Sequence, residues 1–453
     1  MKKINKSLLV FLTALSGVSF ADVSLYGKVA VGTENDQFQS APIPEGGSVQ
    51  DYGSYFGIRG TDPVYGETSV IWQVEQYLDI AAGQSYYNTT AGGMIVPNPL
   101  APNNTNGYVT NHSNSLASSE TYLGLQGRWG RIRMGNLSNY VRSNMGNTNM
   151  FNCANGANCL GKLTRTSKLV PTSLRYDSPV VGGFNVTALY GFSNNGVVDV
   201  TGVNQTNNYG GGLNGVYSGG ILVGGIGYTH GNWAANLGTM IWQQVGTYST
   251  GISGITPNPS FPNSAYSNAY TGILELTYND PEGIIVNAAM QISDGLAWNS
   301  WANSGGTLGV IYSNPAFQNQ ANQLYNNAQL QTQEFGVSFG YHLGPWTPKI
   351  GYAYGNNMMI GGNALQLIAG NAQQIGGTGY QNAVAELDWN ITPRTIAFVN
   401  FGQIWYGDTL QNVSLGPVNG TTPQPPLQPG IVNGNNQYAS NQSTLAIGFS
   451  HTF

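Results

Sequence analysis

Apolar and polar residues alternate with period two in segments of about ten residues, from one end of the chain to the other. In VSLYGKVAV (Val23–Val31), Val23, Leu25, Val29 and Val31 fall on one face, and Ser24, Tyr26 and Lys28 on the other. YFGIRG, VIWQVEQ, YLGLQG, RIRMG, SLRYD, FNVTALYGF, GILVGGIGYT, ILELTYN, IIVNAAMQIS, FGVSFGYHL, KIGYAYG, AVAELDW, TIAFVNFGQIW and STLAIGFSHTF repeat the pattern. Each predicts a β-strand with one apolar face and one polar or small face. After the first residues no apolar run reaches about 18 residues, which excludes a bundle of membrane helices.

The connections narrow the architecture. Short links carry turn residues: TDPVYG, GRWG, SPVVGG, SGG, NDPEG, LGPW and NITPR. Long links fall at about 34–51, 80–117, 138–172, 194–207, 231–267, 294–331, 356–379 and 408–441. Tight turns at one end and long loops at the other are expected of an outer-membrane barrel, whose strands face lipid and a polar lumen alternately. Eight long links predict an all-β, antiparallel transmembrane barrel of about 16 strands, wide enough for an aqueous channel. A secreted β-sandwich or β-solenoid adhesin is the competing reading, although no repeat of fixed period supports a solenoid.

Composition sets the compartment. Lys2, Lys3 and Lys6, the apolar Leu8–Val18 and the small-x-small Ser19-Phe20-Ala21 predict a signal peptide over 1–21, with the barrel over 22–453. Without the leader, 15 Lys and Arg become 12 against 20 Asp and Glu, and the formal charge moves from −5 to −8. An exported, acidic chain offers no surface for nucleic acid. The 63 glycines and 27 tyrosines, with 8% charged residues and no dividing linker, suit a single large β unit.

The order of several motifs then becomes specific. DVSLYG opens the mature chain, followed by FGIRG (56–60), IWQVEQ (71–76), YLGLQGRWGRIRMGN (122–136), SLRYDSP (173–179) and the final LAIGFSHTF. On these residues the chain resembles the general diffusion porins of the Gram-negative outer membrane, in particular the betaproteobacterial type. The resemblance implies a passive channel for small hydrophilic solutes and ions, not an enzyme. It also implies a homotrimer set in outer-membrane lipid and lipopolysaccharide, with the third long loop, 138–172, folded into the pore. The closing strand places Leu445, Ile447, Phe449, His451 and Phe453 on one face. In the family this terminal aromatic strand, here with Phe449 and Phe453, is the signal read by the barrel-insertion machinery.

Charge adds a candidate site. From Arg128 to Arg175 there are eight basic residues and no acidic one. A charged side chain facing lipid at mid-depth costs about 2–4 kcal/mol, so strand parity turns Arg59, Arg131, Arg133 and Arg175 toward the lumen, with Tyr55, Glu75 and Asp177. The loop would bring Arg142, Lys162, Arg165 and Lys168 into or near the constriction. Arg175 matches a family constriction position, whereas Asn136 and Tyr55 stand where relatives often carry arginine. One-signed charge in a low-dielectric wall enriches counter-ions, so the expectation is a weak to moderate anion preference, partly offset by Glu75 and Asp177. A solvated charge run is the plain alternative. A channel specific for phosphate, an organic anion or a sugar is another.

Other chemistry is sparse. His112, His230, His342 and His451 have no metal-ligand spacing, and no nucleophile elbow or phosphate-binding glycine loop occurs. No cofactor or metal is expected. Cys153 and Cys159, the two cysteines, could share a metal, but residues 150–170 contain no His, Asp or Glu to complete a site. A disulfide fits an exported chain. Its small ring contributes only roughly 2 kcal/mol, so stiffening the inserted loop is the better motive. The links 80–117, 231–267, 295–331 and 356–379 carry no charged residue, either as a neutral outer surface or through loop variation.

Overall fold

The computed structural model describes residues 22–38, 47–78, 80–81, 117–153, 157–161, 169–192, 220–246, 266–297, 329–357, 359–360, 373–374, 379–407 and 441–453. The predicted leader 1–21 lies outside them. The barrel strands are β1 (Asp22–Phe38), β2 (Ser54–Tyr65), β3 (Thr68–Leu78), β4 (Thr121–Gly127), β5 (Gly130–Ser138), β6 (Leu169–Asp177), β7 (Phe184–Gly191) and β8 (Ile221–His230). They continue as β9 (Trp233–Gly246), β10 (Tyr266–Asn279), β11 (Ile284–Ala297), β12 (Gln329–Tyr341), β13 (Trp346–Gly355), β14 (Tyr380–Thr392), β15 (Thr395–Tyr406) and β16 (Gln442–Thr452). Each pairs antiparallel with its successor, and β16 returns to β1 from Lys28↔Thr452 to Phe38↔Gln442. The sheet is a closed 16-stranded barrel with no free edge.

Side chains follow the two solvents. Leu25, Ile58, Leu123, Met134, Leu174, Val337, Ile350, Val399 and Ile447 point outward and are exposed. Inward positions are polar and packed, among them Thr187, Asn236, Asn287, Ser338, Asn382, Asn400 and Thr444. No helix among the described residues is long and apolar enough to cross a membrane.

Two boundaries read from the pattern are corrected. The link 231–267 contains β9: residues Gly231 and Asn232 form the tight turn after β8, and the register runs from Trp233↔His230 to Trp242↔Ile221. That turn, not SGG, is therefore the short connection here. The alternation of β9 is blurred because its inward face carries the fully buried Met240, while the small Ala235 and Thr239 alternate with it outward. The link 34–51 is also shorter. β1 runs to Phe38, and a short strand, Gly47–Asp51, pairs with it from Val31↔Asp51 to Asn35↔Gly47. Between that strand and β2, Asp51 Oδ1 accepts from the N–H groups of Gly53 and Ser54, at 2.8 Å each. Gly53 takes φ +80°, a conformation that favours glycine, and lets Tyr52 turn in against Phe398.

The seam closes on the last residue. Phe453 and Gly27 exchange backbone hydrogen bonds of 3.1 Å in both directions. A Cβ on Gly27 would stand 2.6 Å from the Phe453 ring and 2.7 Å from the Tyr55 carbonyl. Gly27→Val should therefore weaken closure by about 1–3 kcal/mol, read as a lower temperature for loss of the compact band on denaturing gels. Gly47→Val, whose Cβ would meet only the Glu34 carbonyl at 4.0 Å, should leave that temperature in place. Equal effects would refute the seam argument.

Candidate functional site

The connection between β5 and β6, loop L3, leaves the wall at Ser138 and starts with a helical turn, α1 (Tyr140–Asn144). Asn139 caps it, its Oδ1 accepting from Arg142 N at 2.7 Å. Tyr140 is fully buried, with its hydroxyl donating to Asn236 at 2.8 Å. Burial pushes its phenol up to about 12, so at neutral pH it remains a donor. Its ring needs the bare backbone of Gly225, where a Cβ would lie 2.1 Å from Tyr140 Cγ.

From there L3 runs around the inner wall toward β16. Glu275 on β10 accepts from the N–H of Gly146 at 2.9 Å and of Thr148 at 2.8 Å. Phe151 lies over Gly351 of β13, and Lys349 Nζ donates to the Met150 carbonyl at 3.0 Å. On β14, Glu386 accepts from Asn152 N at 2.7 Å and from Asn152 Nδ2 at 3.1 Å. Lys349 also bridges Glu386 and Asp388, at 2.7 and 2.6 Å. The tip reaches β16, where Thr444 Oγ1 accepts from Ala157 N at 2.9 Å. It then turns back: Asn158 donates to Asn400 at 3.0 Å, and Gly161 N to Asn382 at 3.3 Å. Cys153 and Cys159 are bonded, with Cα atoms 5.2 Å apart, and join the outgoing limb to the returning one.

Among the described residues L3 lines the wall from β8 to β16, and toward β1–β5 its contacts are those of Arg142 with Tyr77, Ser119 and Glu75. The arginines border the β1–β5 side. Arg59 is exposed, lies 4.9 Å over the Tyr26 ring and donates to Ser24 at 3.2 Å. Arg131 is 41% exposed and meets Asp177 at 3.4 Å. Arg133 is buried between Glu120 at 2.9 Å and Asp177 at 2.8 Å. Arg142 lies 5.4 Å over the Tyr77 ring, donates to Ser119 at 3.2 Å and faces Glu75 at 3.8 Å. Arg175 is buried on Asp177 at 2.7 Å and donates to the Ser138 carbonyl and to Ser143, at 2.6 and 2.9 Å. It holds the entry of L3 rather than facing the passage. Four of these five arginines pair with three acids, and among the described residues Arg133 Nε and Arg142 Nη1 are buried without an acceptor.

Tyr55 also faces inward, beside Tyr26 with ring centroids 6.2 Å apart. Lys162, Arg165 and Lys168 lie outside the described residues. Phe449 and Phe453 are on the outer face, 56% and 42% exposed. Arg128, at the GRWG turn, is solvated and paired with Glu67. Sequence reading missed Lys349, Glu275, Glu386 and Asp388. Their inward parity was legible, but the loop backbone they bind lies more than a hundred residues away in sequence.

A family model described as Gram-negative porin matches residues 8–409. The major outer membrane protein P.IB of Neisseria lactamica is 21% identical over 416 residues, covering 89% of this chain and 94% of the relative. P.IB of Neisseria sicca is 28% identical over 197 residues, or 41% of this chain, and there the match spans about half the relative, 47%. Among solved structures, the anion-selective porin from Comamonas acidovorans has a TM-score of 0.58 at 14% identity, covering 96% of this chain and 100% of that one. That likeness is one of fold.

The latch on L3 predicts an order of effects. Glu386→Ala leaves Lys349 with Asp388 alone and deprives the Asn152 N–H of its acceptor, and a buried donor left unmatched costs about 1–3 kcal/mol. Single-channel current should become noisier while circular dichroism still reports the barrel. The double variant Cys153→Ser, Cys159→Ser should give a smaller increase, since the tip keeps its bonds to Thr444 and Asn400. Quiet, unchanged current in both would refute the latch.

Proposed function

The chain belongs to the Gram-negative porin family, and from that premise we propose a general diffusion channel of the outer membrane with a moderate anion preference. Small hydrophilic solutes and ions would pass between L3 and the β1–β5 wall. The observation that carries the preference is where each sign of charge lies. Arg59 and Arg131 reach the open passage, whereas Glu386 and Asp388 are 0% and 6% exposed behind the loop. Hydrogen bonds from L3 further engage the acids of that wall. The mobile ion therefore meets an excess of guanidinium, a field that enriches anions. The Comamonas porin, whose fold this chain shares, is anion-selective.

Several assignments rest on the family and on the sequence. Residues 1–21 act as a cleaved leader and 22–453 as the working barrel. The working form is a homotrimer in contact with lipopolysaccharide. Phe449 and Phe453 serve the insertion machinery, and Lys162, Arg165 and Lys168 add to the positive side of the passage.

Planar bilayers test the reading. Purified protein should give conductance steps, with a reversal potential on the anion side across a salt gradient. A unit charge at about 4 Å in water is worth about 1 kcal/mol, so one substitution should move the permeability ratio by up to about fivefold. Asp177→Asn should raise the anion preference, and Arg59→Gln should lower it. Cation preference in the unmodified channel would overturn the selectivity, and absence of steps would overturn the channel. A swelling series with neutral solutes should fall smoothly with size; one solute far above its peers would point to a substrate-specific channel.

A further inference from the structure

A second link reaches the inner wall where the tip of L3 sits. This hairpin, L1, consists of the upper half of β1 and the strand Gly47–Asp51. Val31 pairs with Asp51 and Lys28 with Tyr55, so two residues of β1, Val29 and Ala30, stand opposite three, Tyr52, Gly53 and Ser54. The extra residue is a β-bulge, and it joins Gly47–Asp51 and β2 into one bent strand. Ser54 spans the break in the ladder, its hydroxyl accepting from Ala30 N at 3.0 Å and donating to the Ala30 carbonyl at 3.2 Å. Tyr52 and Tyr55 are three residues apart, and a regular strand would turn one of them to lipid. The bulge brings both into the lumen.

Tyr52 is 3% exposed, among the inward Ala30, Phe398 and Ala446. Its ring lies over Gly32, where a Cβ would come within 2.9 Å, and edge-on to Phe398, with centroids 5.1 Å apart. Phe398 covers Gly448 in the same way, at 2.5 Å. The Tyr52 hydroxyl donates to Glu34 at 3.0 Å, and Lys28 Nζ donates to the Tyr52 carbonyl at 3.0 Å. One inward rung further from the short turns are Asn400 on β15 and Thr444 on β16, which receive Asn158 and Ala157 of L3. The aromatic pair is thus the rung beneath the tip.

Asp36 of L1 completes the link. It stands opposite Thr444 in the register of β1 and β16, and the Thr444 hydroxyl donates to its Oδ1. Gln442 Nε2 donates to the same oxygen at 2.9 Å. A hydroxyl carries one proton. With that proton committed to Asp36, Thr444 Oγ1 turns lone pairs to the lumen, and the Ala157 N–H meets them at 2.9 Å. A hydroxyl free to rotate would spend part of its time with donor facing donor. We infer that L1 positions the tip of L3: Asp36 fixes Thr444 as an acceptor, and Tyr52 with Phe398 forms the shelf below it. Asp36 and Tyr52 are positioning residues, acting on the passage through Thr444 and Phe398. The inference deepens the channel reading and rests on it for its effect on permeation.

Hydrogen exchange followed by mass spectrometry on the detergent-solubilised protein tests the link without current. Asp36→Ala should speed exchange over 157–161 by up to about tenfold. The amides of β1 and β16 should stay protected, and Asn152, held by Glu386, should exchange as before. Asp36→Asn keeps an acceptor oxygen and should restore slow exchange at the tip. Thr444→Val removes the acceptor itself and should match Asp36→Ala, whereas Thr444→Ser should behave as the unmodified chain. In bilayers, Asp36→Ala, Thr444→Val and Tyr52→Ala should each make the current noisier. Unchanged exchange over 157–161 in both Asp36→Ala and Thr444→Val overturns the inference. So does equal acceleration along β1 and β16, which would make Asp36 a seam residue alone. Asp36→Asn as fast as Asp36→Ala would assign the effect to charge and overturn the orienting role. The expected exchange pattern in a protein without conductance steps would keep the link and remove the channel.

Discussion

A segment that leaves the rim of a barrel and enters its lumen takes its backbone N–H groups with it, and those groups need acceptors. Here the wall supplies them as carboxylates. Glu275 takes two N–H groups of L3 and Glu386 takes another, each on an inward side chain of a rigid strand. A carboxylate held among N–H donors is worth more than a neutral acceptor. Lys349 then bridges Glu386 and Asp388 and reaches the loop carbonyl of Met150. The course of the loop, the width left beside it and the position of free charge all follow from this one pairing.

The pairing also explains how a loop without acids can sit in a polarised lumen. Negative charge stands behind L3, where it is engaged by the loop and shielded from ions. Arg59 and Arg131 stand on the opposite wall, beside Glu75 and Glu120. Arg133 and Arg175 are absorbed by Glu120 and Asp177, so sign along the passage depends on fewer residues than a count of arginines implies. Arg175 in particular works as a structural tie to Ser138 and Ser143.

Much of this was legible from residues because a barrel wall has only two faces and period two assigns each side chain to one. Arg59, Arg131, Glu75 and Asp177 face inward as parity required. β9 escaped because its inward side is partly apolar, with Met240 in a region covered by Tyr140 and Met145 of L3. Polarity reports contact with water, and a lumen-facing residue under a loop does not touch water. The latch escaped for a related reason. Nothing near Asn152 in sequence announces Glu386, and only closure of the barrel brings them together. The cysteine pair could be read as a clip, but its function as a tie between outgoing and returning limbs needed the path of both.

That path bears on the order of assembly. Residues 150–153 and 157–161 dock on β13, β14, β15 and β16, the strands furthest along the chain. Contacts between positions so distant in the chain form late, because the intervening loop must first be closed. The first part of L3 seats on β8 to β10, whereas its tip has no seat until the final quarter of the wall is in place. Gly402 leaves the tip room at Ala157, where a Cβ would come within 2.2 Å of the backbone. The seam between β1 and β16 and the seating of L3 share Thr444 as a neighbour, so closure of the membrane wall and narrowing of the passage meet at one residue.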